Sequence, residues 1–291
     1  MNEFDAFIES AWETHAEQTR EVAERLAASL HRVEQPAELA RYAGLVSHVY
    51  GEHLGELDAG IALLQRLGAT PIGQAHPEAQ QAVARHVAAL RHVAGVLGAL
   101  DGLSGAERVG ALAAAAAIQA GRLSFDAALA SYRQALDGAE GGLPADSPAV
   151  RALAVGGNNL AAALEEKADR TPAQTAGMVD AARAALANWK RAGGWLEEER
   201  AEYRLAHSLL EAGQAAAAVG SARRCVAVCT QHTAAPLEQV FAHAVLALAL
   251  RASGDAAGGD AARAQARHWF EQVPADERAW CEPELEKLGP A

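Results

Sequence analysis

The chain has 291 residues, 51% of them hydrophobic, and a formal net charge of −12. An acidic balance of that size disfavours nucleic acid and anionic membranes as partners of the whole chain and leaves proteins and neutral or basic peptides open. Alanine fills 74 positions and cysteine only three. Alanine is the strongest helix former and three thiols make no disulfide framework, so an all-α protein of a reducing, cytoplasmic compartment is expected. The longest apolar runs, near 111–118 and 245–250, are far too short to span a bilayer. The opening MNEFDAFIES lacks the basic start of a secretory signal.

In chain order, residues 3–33 read as one long helix, with Phe4, Ile8, Trp12, Val22, Leu26, Leu30 and Val33 as its apolar stripe. Pro36 opens a second helix through Tyr42, Leu45 and Val49 to a turn at Gly55, and Leu57–Leu67 is its partner. A loop at 69–77 follows. Residues 78–100 read as another long helix with Val83, Val87, Leu90, Val93 and Leu97 on one face. Residues 106–120 and 124–139 form a pair turned at Ala120–Ser124. The segment GGLPADSP at 141–148 is the strongest linker signal. Helices then start near Pro148 and Thr171, the latter ended by Gly193 and Gly194. Trp195 to Cys229 forms two amphipathic helices around Gly213. Residues 236–252 and 256–272 pair around Ser253–Asp255. Residues 275–288 close the chain, with Trp280 and Leu285 expected to face inward.

The turns at Gly55, Gly121, Gly213 and Gly254 follow similar helices, and a small-residue code follows three of them. Ala128, Tyr132 and Ala135 come after Gly121; Ala218, Ala222 and Cys225 after Gly213; Gly60, Leu64 and Leu67 after Gly55. A small residue lets two helices cross closely and a larger one four positions on fills the groove beside it. This pattern resembles the tetratricopeptide repeat (TPR) family in its looser, longer-period form, best over Ala120–Leu136 and Tyr203–Val228. The run Asn158-Asn159-Leu160-Ala161, downstream of Ser147-Pro148, is similar to the first helix of kinesin-light-chain-type repeats. The resemblance implies an α–α superhelix (solenoid) of TPR-like helical hairpins in one domain. Residues 1–35 would be an N-terminal helix, 36–272 five or six hairpins, and 273–291 a capping helix.

The resemblance further implies a groove lined by the first helix of each hairpin. The residues it places there are Tyr42, with Val49 and Glu52 beside it, then Arg108 and Gln119, then Asn158, then Arg200, Tyr203 and His207, and finally Arg251. Asparagine can both donate to and accept from a peptide backbone, and arginine can hold a carboxylate through two bonds. Asn158, Arg200, Tyr203 and His207 are expected to form one patch.

Cys225, Cys229 and His232 have a spacing compatible with a metal, but the cysteines also fall where the repeat packs small apolar side chains, and the core reading is preferred. His48 and His53, and His86 and His92, lie five and six apart, which does not align them on one α-helical face. No metal or cofactor is therefore expected. Glu197–Glu199 suit the positive end of their helix dipole, and Glu165 and Glu166 read as a solvated face. No P-loop, GxGxxG, HExxH or GxSxG is present. The expected function is a non-enzymatic scaffold that binds a protein or peptide in the groove. A ligand-responsive regulator and an enzyme built around histidines are the rival classes.

Overall fold

In the computed structural model, which describes residues 2–144 and 146–289, all regular structure among the described residues is helical. Contacts divide the chain into two compact units, Met1–Gly156 and Gly157–Ala291.

The first unit opens with α1 (Glu3–Thr14) and α2 (Thr19–Ala28). The single helix expected over 3–33 is broken at residues 15–18. There the Thr19 hydroxyl donates to His15 O (2.7 Å) and the Thr14 hydroxyl to Ser10 O (2.8 Å), competing for helix carbonyls. The break turns Phe4, Phe7 and Ile8 of α1 and Val22 and Leu26 of α2 into one core, while Trp12 stays 43% exposed.

Helix α3 (Pro36–Val46) starts from Gln35, whose N–H donates to Glu38 Oε2 (3.0 Å), with Pro36 preset for the first turn. It does not continue as an α-helix to Gly55. Residues Ser47–Leu54 form a π-helix, closed by Gly55 in the left-handed conformation (φ 69°). A π-helix bonds residue i to i+5, so positions five apart stack one turn above the other. His48 and His53 accordingly share a face, their Nε2 atoms 3.0 Å apart. This corrects the expectation drawn from α-helical spacing.

Helix α4 (Leu57–Gly68) and a short α5 (Pro71–Ala75) lead to α6 (Pro77–Val93). The helix expected to reach residue 100 stops at Val93, because Gly95 and Gly98 take left-handed conformations (φ 76° and 69°), and Leu97 is 97% exposed. Helix α7 (Gly105–Gly121) is capped reciprocally by Ser104 and Glu107 and packs on α8 (Phe125–Ala139). Gly121 is not the turn residue that its position suggests. A Cβ there would lie 3.0 Å from Glu52 Cβ, so glycine admits the π-helix, and Leu123 takes the left-handed position (φ 58°).

Helix α9 (Pro148–Glu165) contains the boundary between the units. The second unit continues with α10 (Pro172–Ala192), α11 (Trp195–Glu211), α12 (Ala215–Gln231), α13 (Pro236–Ala252), α14 (Ala256–Phe270) and α15 (Arg278–Lys287), each of α10 to α14 packing on its sequence neighbour. Thr171 and Gln174 cap α10 in both directions (3.2 Å each), and Gly213 and Gly254 end α11 and α13 with positive φ. No described helix is long and apolar enough to cross a membrane.

Ala128 on α8 and Ala218 on α12 have no exposed surface. Interiors at native density have no room for three further carbons at such sites. Ala128→Leu and Ala218→Leu should each cost about 1–3 kcal/mol of stability in denaturant unfolding. Two variants with wild-type midpoints would show that these positions are not close crossings.

Candidate functional site

The second unit contains a cavity of about 390 Å³ built around α11. The start of that helix is fixed by Glu197, whose carboxylate accepts the Gly194 N–H (2.9 Å). In the register that follows, Glu199, Arg200, Tyr203 and Arg204 occupy one helical face, at i, i+1, i+4 and i+5. All four line the cavity. Asn158 of α9, Leu237, Glu238 and Phe241 of α13, and the exposed Trp280 of α15 complete the lining.

Three of the four residues expected to form a patch, Asn158, Arg200 and Tyr203, thus meet in one cavity. The fourth, His207, adjoins it: its ring centroid lies 4.6 Å from that of Tyr203. Tyr203 in turn meets Phe241 edge-on at 5.6 Å. The imidazole is already engaged, with Nε2 2.8 Å from Glu284 Oε1 of α15. Burial would raise the Glu284 carboxyl, but hydrogen bonds and charge from His207 and Lys287 outweigh it and hold the group down at about 2.

The cavity's charges are largely paired. Arg200 donates to Glu238 through Nη2 (2.5 Å) and Nε (3.4 Å). Arg204 donates to Glu165, which also accepts the Ser208 hydroxyl (2.6 Å). Glu165 is therefore not on a solvated face; its side chain is 11% exposed. Glu199 likewise does more than complement a helix dipole. It is 1% exposed, its Oε1 accepts the Cys225 thiol (2.9 Å), and its Oε2 has no partner. Burial, followed by the neighbouring Glu238 carboxylate, pushes the Glu199 carboxyl up to about 7.

The other sequence candidates lie elsewhere. Tyr42 is fully buried, stacked at 6.3 Å on Phe7 with its hydroxyl donated to Leu26 O, so it is a core residue and not a groove residue. Arg108 is exposed on α7. Gln119 spends its amide inside its hairpin: with nitrogen toward α8 it donates to Ser131 Oγ (2.8 Å) and Ala127 O (3.1 Å). Arg251 ties down the chain end, donating to Leu288 O (2.9 Å) and Asp260 Oδ1 (3.1 Å).

Cys225 and Cys229 are fully buried beside Ala234 and Ala242, and burial raises both thiols. His232 instead lies parallel to the Trp195 ring at 5.0 Å. Trp280, expected to face inward, is 66% exposed. Its exposure, the buried Glu199 and the α13 wall carry no short motif that could have marked them in the sequence.

No family model matches the chain, and no curated protein matches it in sequence. Solved structures do match. Two structures of nearly identical TPR-like repeats from a Podosopora anserina protein described as a kinesin light chain align at 16% identity and TM-score 0.51, over 81% of this chain and 96–97% of theirs. BtubC (BKLC) from P. vanneervenii aligns at 15% identity and TM-score 0.48, over 92% of this chain and 91% of its own. At such identities the likeness to the Podosopora structures speaks to fold alone: the chain has a TPR-like, all-α helical-repeat fold.

The raised Glu199 carboxyl gives a pH dependence of known sign. The folded chain keeps a proton that the unfolded chain releases near 4.5, so this group's contribution to stability falls as pH rises from about 4.5 through about 7. Glu199→Gln, which still accepts the Cys225 thiol, should flatten that fall and gain on the order of 1–3 kcal/mol relative to wild type at pH 8. Parallel melting curves for the two proteins from pH 5 to 8 would contradict this assignment.

Proposed function

We propose that the second unit binds a short segment of a partner protein in the cavity between α9, α11, α13 and α15. The observation that carries this reading is the convergence of Asn158 with Tyr203, Phe241, Leu237 and the exposed Trp280 on one cavity. Concave apolar walls with a few placed polar groups are the usual form of a ligand site. The TPR-like fold commonly serves protein–protein interaction, which supports a protein segment as the ligand class.

The pairing of charges narrows the chemistry. Arg200 and Arg204 already balance the buried carboxylates of Glu238 and Glu165, so a partner carboxylate would share or exchange guanidinium groups that are already engaged. An apolar or aromatic side chain inserted beside Tyr203 and Phe241 needs no such exchange. Asn158, half-exposed and holding only a long 3.4 Å bond to Asn159, is available to a peptide backbone.

Displayed random peptides selected on the intact protein provide the test. Selected sequences should be enriched in aromatic or large apolar residues. Trp280→Ala and Asn158→Ala should each weaken a selected peptide at least tenfold, or about 1.4 kcal/mol, with little change in melting temperature. Peptides that bind both variants as tightly as wild type would place recognition elsewhere.

A further inference from the structure

The first unit brings three histidines together at the junction of α1 and the π-helix. His15 follows the last residue of α1, and His48 and His53 lie at the two ends of one π-helical turn. Their ring centroids are mutually 4.6–5.0 Å apart. One nitrogen from each ring falls within 4.8 Å of the other two.

The hydrogen bonds around the cluster decide which nitrogens are free. His15 Nδ1 is 2.6 Å from Trp12 O, and a carbonyl only accepts, so Nδ1 carries the hydrogen and Nε2 keeps its lone pair. His48 Nδ1 is 2.9 Å from Glu52 Oε2, and the same argument frees its Nε2. That free Nε2 faces His53 Nε2 at 3.0 Å. Two lone pairs at this distance would repel, so a hydrogen on His53 Nε2 bridges them. His53 is exposed, and its hydrogen can move to Nδ1 through solvent.

We propose that His15, His48 and His53 bind one divalent transition-metal ion of the zinc class through their three Nε2 atoms, with a solvent molecule completing the shell. Tetrahedral zinc with bonds of ~2.05 Å places its ligands roughly 3.3 Å apart, a spacing inside the range that the three rings already span. Neutral imidazole selects zinc and its neighbours over magnesium or calcium. The Glu52–His48 bond is the carboxylate–histidine support that fixes a metal ligand's tautomer and raises its basicity. Trp12, packed 4.9 Å from His48 and 5.2 Å from His15, braces two of the rings. π-helical segments are rare and recur at functional sites, and this one is what aligns His48 with His53.

Such an ion would fasten the α1–α2 corner to the π-helix. The experiment is a calorimetric titration of chelator-treated intact protein with zinc chloride alone, paired with melting curves in the same series. One equivalent should bind, and the melting temperature should rise with free zinc. His53→Gln, a change at an exposed side chain, and His15→Ala should each lower the affinity at least tenfold, whereas His31→Gln at an exposed histidine outside the cluster should leave it unchanged. Glu52→Gln should weaken it by about tenfold through loss of the supporting charge. If His15→Ala is poorly folded, His53→Gln alone decides. Absence of zinc binding, or binding that His53→Gln leaves unchanged, overturns the site.

Discussion

The fold depends on helices approaching at positions that have almost no side chain. Ala128, Ala218, Ala222 and Ala242 are fully buried, and Gly60 packs so tightly that a Cβ would lie 2.9 Å from Tyr50 Cβ. Each small residue buries little apolar area, and hydrophobic stabilisation scales with that area. Backbone features offset the deficit. Reciprocal caps at α7 and α10, and the Glu38 carboxylate on the Gln35 N–H at α3, satisfy otherwise orphaned N–H groups, each cap being typically worth about 1 kcal/mol. Left-handed glycines at 55, 213 and 254 end the helices that precede them.

Close backbones also leave long polar side chains to fill the spaces between helices. Among its described residues the second unit buries four side-chain carboxylates, Glu199, Glu202, Glu238 and Glu284. Three are held by cations or an imidazole: Glu202 by Lys190 and Arg224, Glu238 by Arg200, and Glu284 by His207 and Lys287. Desolvating a carboxylate without a partner is expensive, and Glu199, lacking a cation within salt-bridge distance, is the one whose carboxyl burial pushes up. The same network aligns α11, α13 and α15 around the cavity. Site and scaffold are thus built from the same ion pairs, with Asn158 and Trp280 the lining residues least committed to them.

What was legible in the sequence follows the range of each interaction. Helix existence and the burial of Ala128 and Ala218 are readable, because three- and four-residue spacing and alanine content are local signals. So was the grouping of Asn158, Arg200 and Tyr203, which the repeat resemblance brought onto neighbouring first helices. The break between α1 and α2 was not, since Thr14 and Thr19 compete with the helix only once both faces have a core to meet. Tyr42 lies on the helix the pattern gave it, yet α1 and α2 cover it. Glu199 looked like a dipole-complementing surface acid because its neighbour Glu238 is 39 residues away in sequence. An α-helical step of about 100° per residue separates positions five apart by about 140°, so the spacing of His48 and His53 does not show their alignment. Nothing in SHVYGEHL announces a π-helix; the close seat of Gly51 and Gly121 against neighbouring side chains is a tertiary condition.

The proposed recognition surface is the α11 face of the second unit. Amide hydrogen exchange on the intact protein, with and without a saturating selected peptide, measures this most directly. Binding at this surface should add protection in α15 around Trp280, at the start of α13 near Leu237 and Phe241, and along α11 from Glu199 to Arg204. Protection confined to α12 and α14, or to helices of the first unit, would contradict it.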